Sequence, residues 1–259
     1  MSLQHYLDFA LDAAFQAGRL TLGYFQRTIP VEHKEDASPV TLADRQAEEL
    51  LRTLIMQKYP EDGIIGEEFG EKAGSSSLTW ILDPIDGTRS FIHGVPLYGV
   101  LIALVEKGYP LLGVLHFPAL GESIYAAREL GCFWNGRRVS VSHTATLEKA
   151  TLLTSGLEHW WEEPRKQCVL QRLGQRMGTQ RTWGDAYGYA LVATGRADVM
   201  IDPGLSVWDT APLPVILEEA GGVFTDWEGR TTVYAAQGLG TNPALYDQVH
   251  AIMQECLSS

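Results

Sequence analysis

The chain has 259 residues, 45% hydrophobic and 20% charged, the profile of a globular protein with one large domain or two closely joined ones. Its formal net charge of −12 argues against nucleic acid and anionic membranes as partners, and no apolar run approaches the ~18 residues of a membrane span. Three widely spaced cysteines, Cys132, Cys168 and Cys256, show neither a disulfide framework nor a zinc pattern, which fits a reducing cytoplasm.

The first 25 residues carry Asp8 and Asp12 and no uninterrupted apolar core, so no signal peptide is expected. Leu3, Leu7, Ala10, Leu11, Ala14 and Ala17 recur at helical spacing and predict an amphipathic helix over residues 3–25, closed by Pro30. A polar loop with His33, Lys34, Glu35 and Asp36 follows. A second helix is expected over 41–58, with Thr41 as N-cap and Asp44 in the first turn, where a carboxylate suits the helix dipole. Capping alone accounts for Asp44. Residues 64–68 read as a short strand ending in Glu67 and Glu68, whose side chains should point to opposite sides, so only one faces any given site. Residues 71–77 read as a small polar loop.

Trp80-Ile81-Leu82-Asp83-Pro84-Ile85-Asp86-Gly87-Thr88-Arg89-Ser90-Phe91 is the stretch around which the rest is organised. An apolar strand runs into Asp83, and Pro84, which lacks an N–H donor, is expected to end it. Asp83 and Asp86 then emerge together at a strand end. Gly87 and Thr88 follow where a short helix begins, a geometry that favours an anion. Asp-Gly between apolar runs is also the commonest short hairpin signal, and this stretch alone does not decide between turn and site.

Residues 98–105, 111–117 and 123–127 predict strands, and Asn135-Gly136 a hairpin turn into a strand over 137–142. His116 and His143 in this meander read as structural or surface residues. The second half alternates strand and helix: strands over 151–154, 197–201 and 223–226, helices over 164–177, 184–194 and 210–220. Two halves, 1–145 and 146–259, are expected to pack as one unit with no linker between them.

Four carboxylates fall at element ends: Glu67, Asp83, Asp86 and Asp209. Hard oxygen ligands suit Mg²⁺, with Mn²⁺ as a substitute, and the lack of a Cys/His cluster disfavours zinc. Grouped without cations, each acid would resist ionisation beside the others. Asp209 also has a bland account as a helix N-cap, and taken singly each acid is weak evidence.

Glu67-Glu68, the stretch from Trp80 to Thr88, and Val207-Trp208-Asp209 before a helix ending Glu219-Ala220-Gly221-Gly222 together resemble the inositol monophosphatase family. The resemblance runs from the first helix almost to the C-terminus. Asp-Gly-Thr-Arg-Ser-Phe and Gly184-Asp185-Ala186-Tyr187-Gly188-Tyr189 look most like its histidinol-phosphatase branch. It implies an α/β fold, the layered αβαβα sandwich of the inositol monophosphatase and fructose-1,6-bisphosphatase type, and a cytoplasmic homodimer. It further implies two to three Mg²⁺ per site and direct in-line attack of a metal-activated water on a small phosphate monoester. By the same resemblance, Glu67, Asp83 and the Ile85 carbonyl hold one metal, and Asp83, Asp86 and Asp209 a second. Gly87 and Thr88 offer backbone N–H groups to the phosphate, and Asp44 and Thr88 act with Glu67 on the water. Lys34 is expected near the same region.

Histidinol phosphate carries an amine and an imidazole. Asp185 and Glu67 are candidates to meet the amine, with Arg89, Arg181, Trp183 and Asp202 around the pocket. An inositol-1-phosphatase or broad sugar-phosphate phosphatase is the alternative substrate reading. A non-catalytic metal- or phosphate-binding regulator is the alternative of another class.

Overall fold

The structure is a computed structural model, and it describes residues 2–28, 30–33 and 39–258. The first half contains helices α1 (Leu3–Leu22), α2 (Leu42–Lys58) and α3 (Thr88–Ile92). Its strands are β1 (Val31–His33), β2 (Pro39–Thr41), β3 (Gly63–Gly66), β4 (Gly70–Lys72), β5 (Leu78–Asp86), β6 (Gly99–Glu106), β7 (Tyr109–Phe117), β8 (Glu122–Ala127), β9 (Gly131–Trp134) and β10 (Arg137–Arg138). The second half contains β11 (Thr151–Leu153), α4 (Pro164–Arg176), β12 (Thr179–Arg181), α5 (Ala186–Ala193), β13 (Val199–Asp202), α6 (Val207–Thr210), α7 (Leu213–Glu219), β14 (Val223–Thr225), β15 (Gly238–Thr241) and α8 (Pro243–Leu257).

Strands β3 to β10 form one eight-stranded sheet in the order β10-β9-β8-β7-β6-β5-β3-β4, and a five-stranded sheet runs β12-β11-β13-β15-β14. Side chains alternate across a strand, so one sheet feeds two cores. On one face Leu82, Val100, Ile102 and Val114 pack with Leu7, Ala10, Ala14 and Ala17 of α1 and with Leu51 and Ile55 of α2. On the other face Leu101, Leu115 and Phe117 meet Tyr189, Ala190, Leu213 and Leu217 of α5 and α7, which also cover Met200 and Phe224 of the small sheet. Val169 and Leu173 of α4 with Leu245 and Val249 of α8 close the far side of that sheet. Helices, sheet, helices, sheet, helices: this is the αβαβα order. No described helix is long and apolar enough to cross a membrane.

Several expectations need correcting. Strand β5 does not stop at Pro84 but runs to Asp86. Asp83 pairs with Leu101 and Asp86 with Gly99, so three residue steps on β5 face two on β6. Pro84 is tolerated because it sits in this bulge, where no ladder hydrogen bond is required of it. Residues 71–77 are not simply a loop. Strand β4 pairs antiparallel with β3, the Ser75 and Ser76 N–H groups donate to Glu61 O, and Ser76 Oγ donates to Asp62 Oδ1 at 2.6 Å. The strand expected over 137–142 shortens to β10, and the helix expected over 210–220 splits into α6 and α7 at Pro212. Cys168 and Cys256 form a disulfide, their Cα atoms 5.7 Å apart across neighbouring α4 and α8, while Cys132 is free and buried. Lys34, Glu35 and Asp36 lie outside the described residues.

Candidate active site

The bulge at the end of β5 builds the floor of the site. Asp83 Oδ1 accepts the Ile85 N–H at 3.0 Å, and Gly87 turns the chain into α3 with φ of 78°. A side chain at Gly87 would be strained by that backbone, and its Cβ would come within 2.9 Å of Asp185 Oδ2. Neither half of the Asp-Gly pair makes a hairpin. Asp209 arrives from the second half as the third residue of α6, where its Oδ2 accepts the Ser206 N–H at 2.7 Å.

Asp83, Asp86 and Asp209 offer carboxylate oxygens that all lie within 4.8 Å of one another. Burial, then the charges of Glu67, Asp86 and Asp209, push the Asp83 carboxyl well above its ordinary range. Burial, then Asp185 and Asp209, do the same to Asp86, against the Ala186 N–H that Asp86 Oδ2 accepts at 2.8 Å. Asp209 is raised to about 7, by burial first and, among its charged neighbours, most by Glu67. Three carboxylates this close, two of them buried and Asp209 half-buried, cannot ionise together without positive charge among them. An oxygen-only donor set with mutual repulsion of this kind fits a hard divalent cation.

Glu67 follows β3, donates its N–H to Leu82 O at 3.3 Å and lines the same cavity, outside the tight group of three. Thr41 caps α2, and its N–H and Oγ both donate to Asp44 Oδ2, at 2.8 and 2.6 Å. Asp44 therefore has its capping role, and its other oxygen faces the site: Thr88 Oγ1 is 3.5 Å from Asp44 Oδ1 and donates to Ile85 O at 3.0 Å. Burial raises the Asp44 carboxyl to about 6, against the Thr41 bonds and with help from the Glu67 charge.

The cavity above this floor has a volume of about 640 Å³. Among the described residues, its lining includes Glu67, Asp83, Asp86, Glu158, Asp185, Asp202 and Asp209, against Arg89 and His159 as the basic side chains. Asp185 adopts φ 53° and ψ −155°, a conformation normally left to glycine. It is held there because its N–H donates to Ser155 Oγ at 2.8 Å and the next N–H donates to Asp86. Burial, then the charge of Glu158, raises Asp185 to about 6, while Arg89 opposes the shift. Arg89 Nε lies 3.4 Å from Glu158 Oε1 at the mouth.

Asp202 is buried, accepts the Ser155 N–H at 3.1 Å through Oδ1 and is raised to about 7 by burial. Its Oδ2 and the Tyr189 hydroxyl, on two residues that line the cavity, have no partner at ordinary hydrogen-bond distance, yet the two groups are near enough that, after burial, Asp202 helps raise the Tyr189 hydroxyl. Arg181 and Trp183 do not line the cavity. The Arg181 guanidinium bonds Gln180 O and lies 5.9 Å from the Trp183 ring centroid. Glu158, Ser155, Ser206 and Tyr189 are cavity residues that sequence reasoning missed, and the segment around Glu158 carries no pattern that would have found it.

The sequence profile of the inositol monophosphatase family matches residues 2–258. The chain belongs to the inositol monophosphatase family. It is 49% identical over 234 residues to the histidinol-phosphatase of Chlorobaculum parvum, covering 90% of each chain. It is 38% identical to the histidinol-phosphatase of Mycobacterium tuberculosis, over 94% of this chain and 95% of that one. Among solved structures, the extragenic suppressor protein suhB of Bartonella henselae superposes with a TM-score of 0.91 at 29% identity, over 97% of this chain and 99% of that one. The floor of the cavity thus lies on a fold shared with these relatives.

Proposed function

We propose that this phosphoric monoester hydrolase converts histidinol phosphate to histidinol and phosphate by in-line attack of water, dependent on Mg²⁺ and without a phosphoenzyme. The kinship with histidinol-phosphatases at up to 49% identity supports that substrate. The carrying observation is one cavity in which carboxylates converge at the floor and a second set, Asp185 and Glu158, stands at the mouth. The floor suits cations, and the mouth suits an ammonium group on the leaving alcohol.

Asp83, Asp86, Asp209, Glu67 and the Ile85 carbonyl would hold Mg²⁺, which would supply the positive charge this acidic cavity lacks and make water a better nucleophile. The protein does the rest by positioning. The first N–H groups of a helix have no intrahelical acceptor, so those of Gly87 and Thr88 meet the phosphate oxygens. Thr88 Oγ1 orients the attacking water. Asp44 takes its proton through that hydroxyl, and a carboxyl raised to about 6 is matched to proton transfer near neutral pH. Asp185 pairs with the substrate amine, which relieves the crowding of charge around it. Ser, Cys or His nucleophiles have no part in this chemistry.

The test is a side-by-side turnover assay with Mg²⁺ on histidinol phosphate and inositol 1-phosphate. The expected kcat/KM is at least about 10²-fold higher for histidinol phosphate, as for sites built around a buried polar contact. Equal values, or a preference for inositol 1-phosphate, would move the substrate assignment to the inositol branch. Labelled phosphate trapped covalently on the protein in a quenched single turnover would overturn direct attack.

A further inference from the structure

Helix α2 carries a second carboxylate one turn beyond Asp44. Glu48 is wholly buried, and the site chemistry above makes no use of it. Its oxygens are nevertheless fully engaged. Oε2 accepts the Glu68 N–H at 2.6 Å, and Oε1 accepts the Phe69 N–H at 3.2 Å and Arg52 Nε at 2.7 Å. Arg52 also donates to Gly70 O, and its guanidinium lies 5.9 Å from the Phe69 ring centroid. Gly66 completes the arrangement: a side chain there would run into the Glu48 carboxylate. The chain from Gly66 to Gly70 is thus wrapped around one buried anion.

Glu67 sits in the middle of that wrap. It is the one member of the four carboxylates outside the tight group of Asp83, Asp86 and Asp209, so its aim depends on the turn that carries it. A buried carboxylate is costly unless paired and hydrogen-bonded, and breaking such a cluster loosens whatever it holds. Charge-assisted bonds to two successive backbone N–H groups fix a turn more firmly than packing alone. Helix α2 also positions Asp44, one helical turn away and on the same face.

We infer that Glu48 is a positioning residue for Glu67, locking the Glu67–Phe69 turn so that the Glu67 carboxylate faces the cations, and this rests on the Mg²⁺-dependent reading above. One rigid helix then sets both the proton acceptor, through Asp44, and the outlying metal ligand, through Glu48. Gly66 belongs to the same device, because only glycine leaves room for the anion that orients the next residue.

The test is a Mn²⁺ titration of the full chain, read by the electron paramagnetic resonance of free Mn²⁺, alongside thermal melts of the metal-free protein. Glu48→Ala should weaken the binding class that includes Glu67 by about 10–100-fold, the usual cost of losing a partner that orients a metal ligand. The class held by Asp83, Asp86 and Asp209 should shift much less. Gly66→Ala should weaken the same class, and the double variant should lose less than the sum of the two single losses, because both act on one turn. Glu48→Gln keeps the shape and one acceptor and should fall between wild type and Glu48→Ala; it also serves if Glu48→Ala does not fold. Mn²⁺ binding unchanged in Glu48→Gln and Gly66→Ala, with only the melting temperature lowered, would reduce Glu48 to a fold staple and overturn the inference. Absence of Mn²⁺ binding to the wild type would overturn both the metal reading and this one.

Discussion

The floor and the mouth of the cavity are built on opposite principles. The floor hangs on the central strand β5, its Asp83 and Asp86 buried, with backbone N–H groups donating to both carboxylates. The mouth is made of short pieces, Arg89 on the five-residue α3 and Glu158 on a four-residue 3-10 helix, and their contact leaves both side chains about half exposed or more, at 67% and 48%. Contacts of that exposure contribute ~0–1 kcal/mol and exchange partners readily. On the proposed function, the sheet fixes the reaction, while the choice of substrate is left to groups that can re-pair. Asp185 joins the two, strained in its backbone, with its own N–H on Ser155 and the N–H of the next residue, Ala186, on Asp86.

Changes at the floor should be the most damaging to activity. Asp83→Asn should lower kcat/KM by about 10³ or more, since the charge of the cation site and its geometry go together. The same substitution should raise the melting temperature of the metal-free protein, because it removes a buried carboxylate from a group of three that repel one another. A variant that kept its activity, or melted lower without metal, would break the distinction between floor and mouth.

The disulfide tests how far the outer layer matters to the floor. Cys168–Cys256 spans 88 residues of sequence, and loop closure of that size corresponds to about 4.6 kcal/mol in the unfolded chain. Cys168→Ser should lose most of that in denaturant unfolding while leaving turnover at 25 °C nearly intact. A loss of turnover matching the loss of stability would tie the chemistry to the outer helices.

His116 probes the scaffold beneath the floor through pH. It is buried, packs beside Gly18 and Phe15 of α1, and places Nδ1 2.8 Å from Ser123 Oγ. Burial lowers its pKa from 6.5 to about 4. Above pH 6.5 both folded and unfolded forms are neutral, so the full stability is present. As pH falls from 6.5 to 4, the unfolded chain takes up a proton that the folded one refuses, and stability is lost at ~1.4 kcal/mol per pH unit, about 3 kcal/mol in all. Unfolding free energies measured across this window should fall less steeply for His116→Gln than for wild type, by about one proton.

Much of this was legible before the structure. Strong helical periodicity marked α1 and α2, and β-branched runs marked β6 to β8. The spacing of Asp83, Asp86, Gly87 and Thr88 leaves turn and site open, and only the distant Glu67 and Asp209, joined to it by the family resemblance, point to the floor. Pro84 misled because its rule concerns regular ladders, and the bulge removes the ladder. The disulfide was hidden because only the packing of α4 on α8 brings residues 88 apart together. Glu158 and Ser155 carry no spacing signal, since a bend and a four-residue 3-10 helix are too short to show a period. Glu48 carries no signal of its own, because nothing in the sequence shows that a turn 20 residues later bends around it.

The division between floor and mouth is tested most directly by Asp185→Asn, with kcat and KM measured on histidinol phosphate and on an aryl phosphate that lacks an amine. Loss of one partner for an ammonium group is expected to raise KM for histidinol phosphate by about 10-fold, near 1.4 kcal/mol, and by clearly less for the aryl phosphate. Equal losses on the two substrates would contradict the account, placing Asp185 with the floor rather than with the recognition of the leaving group.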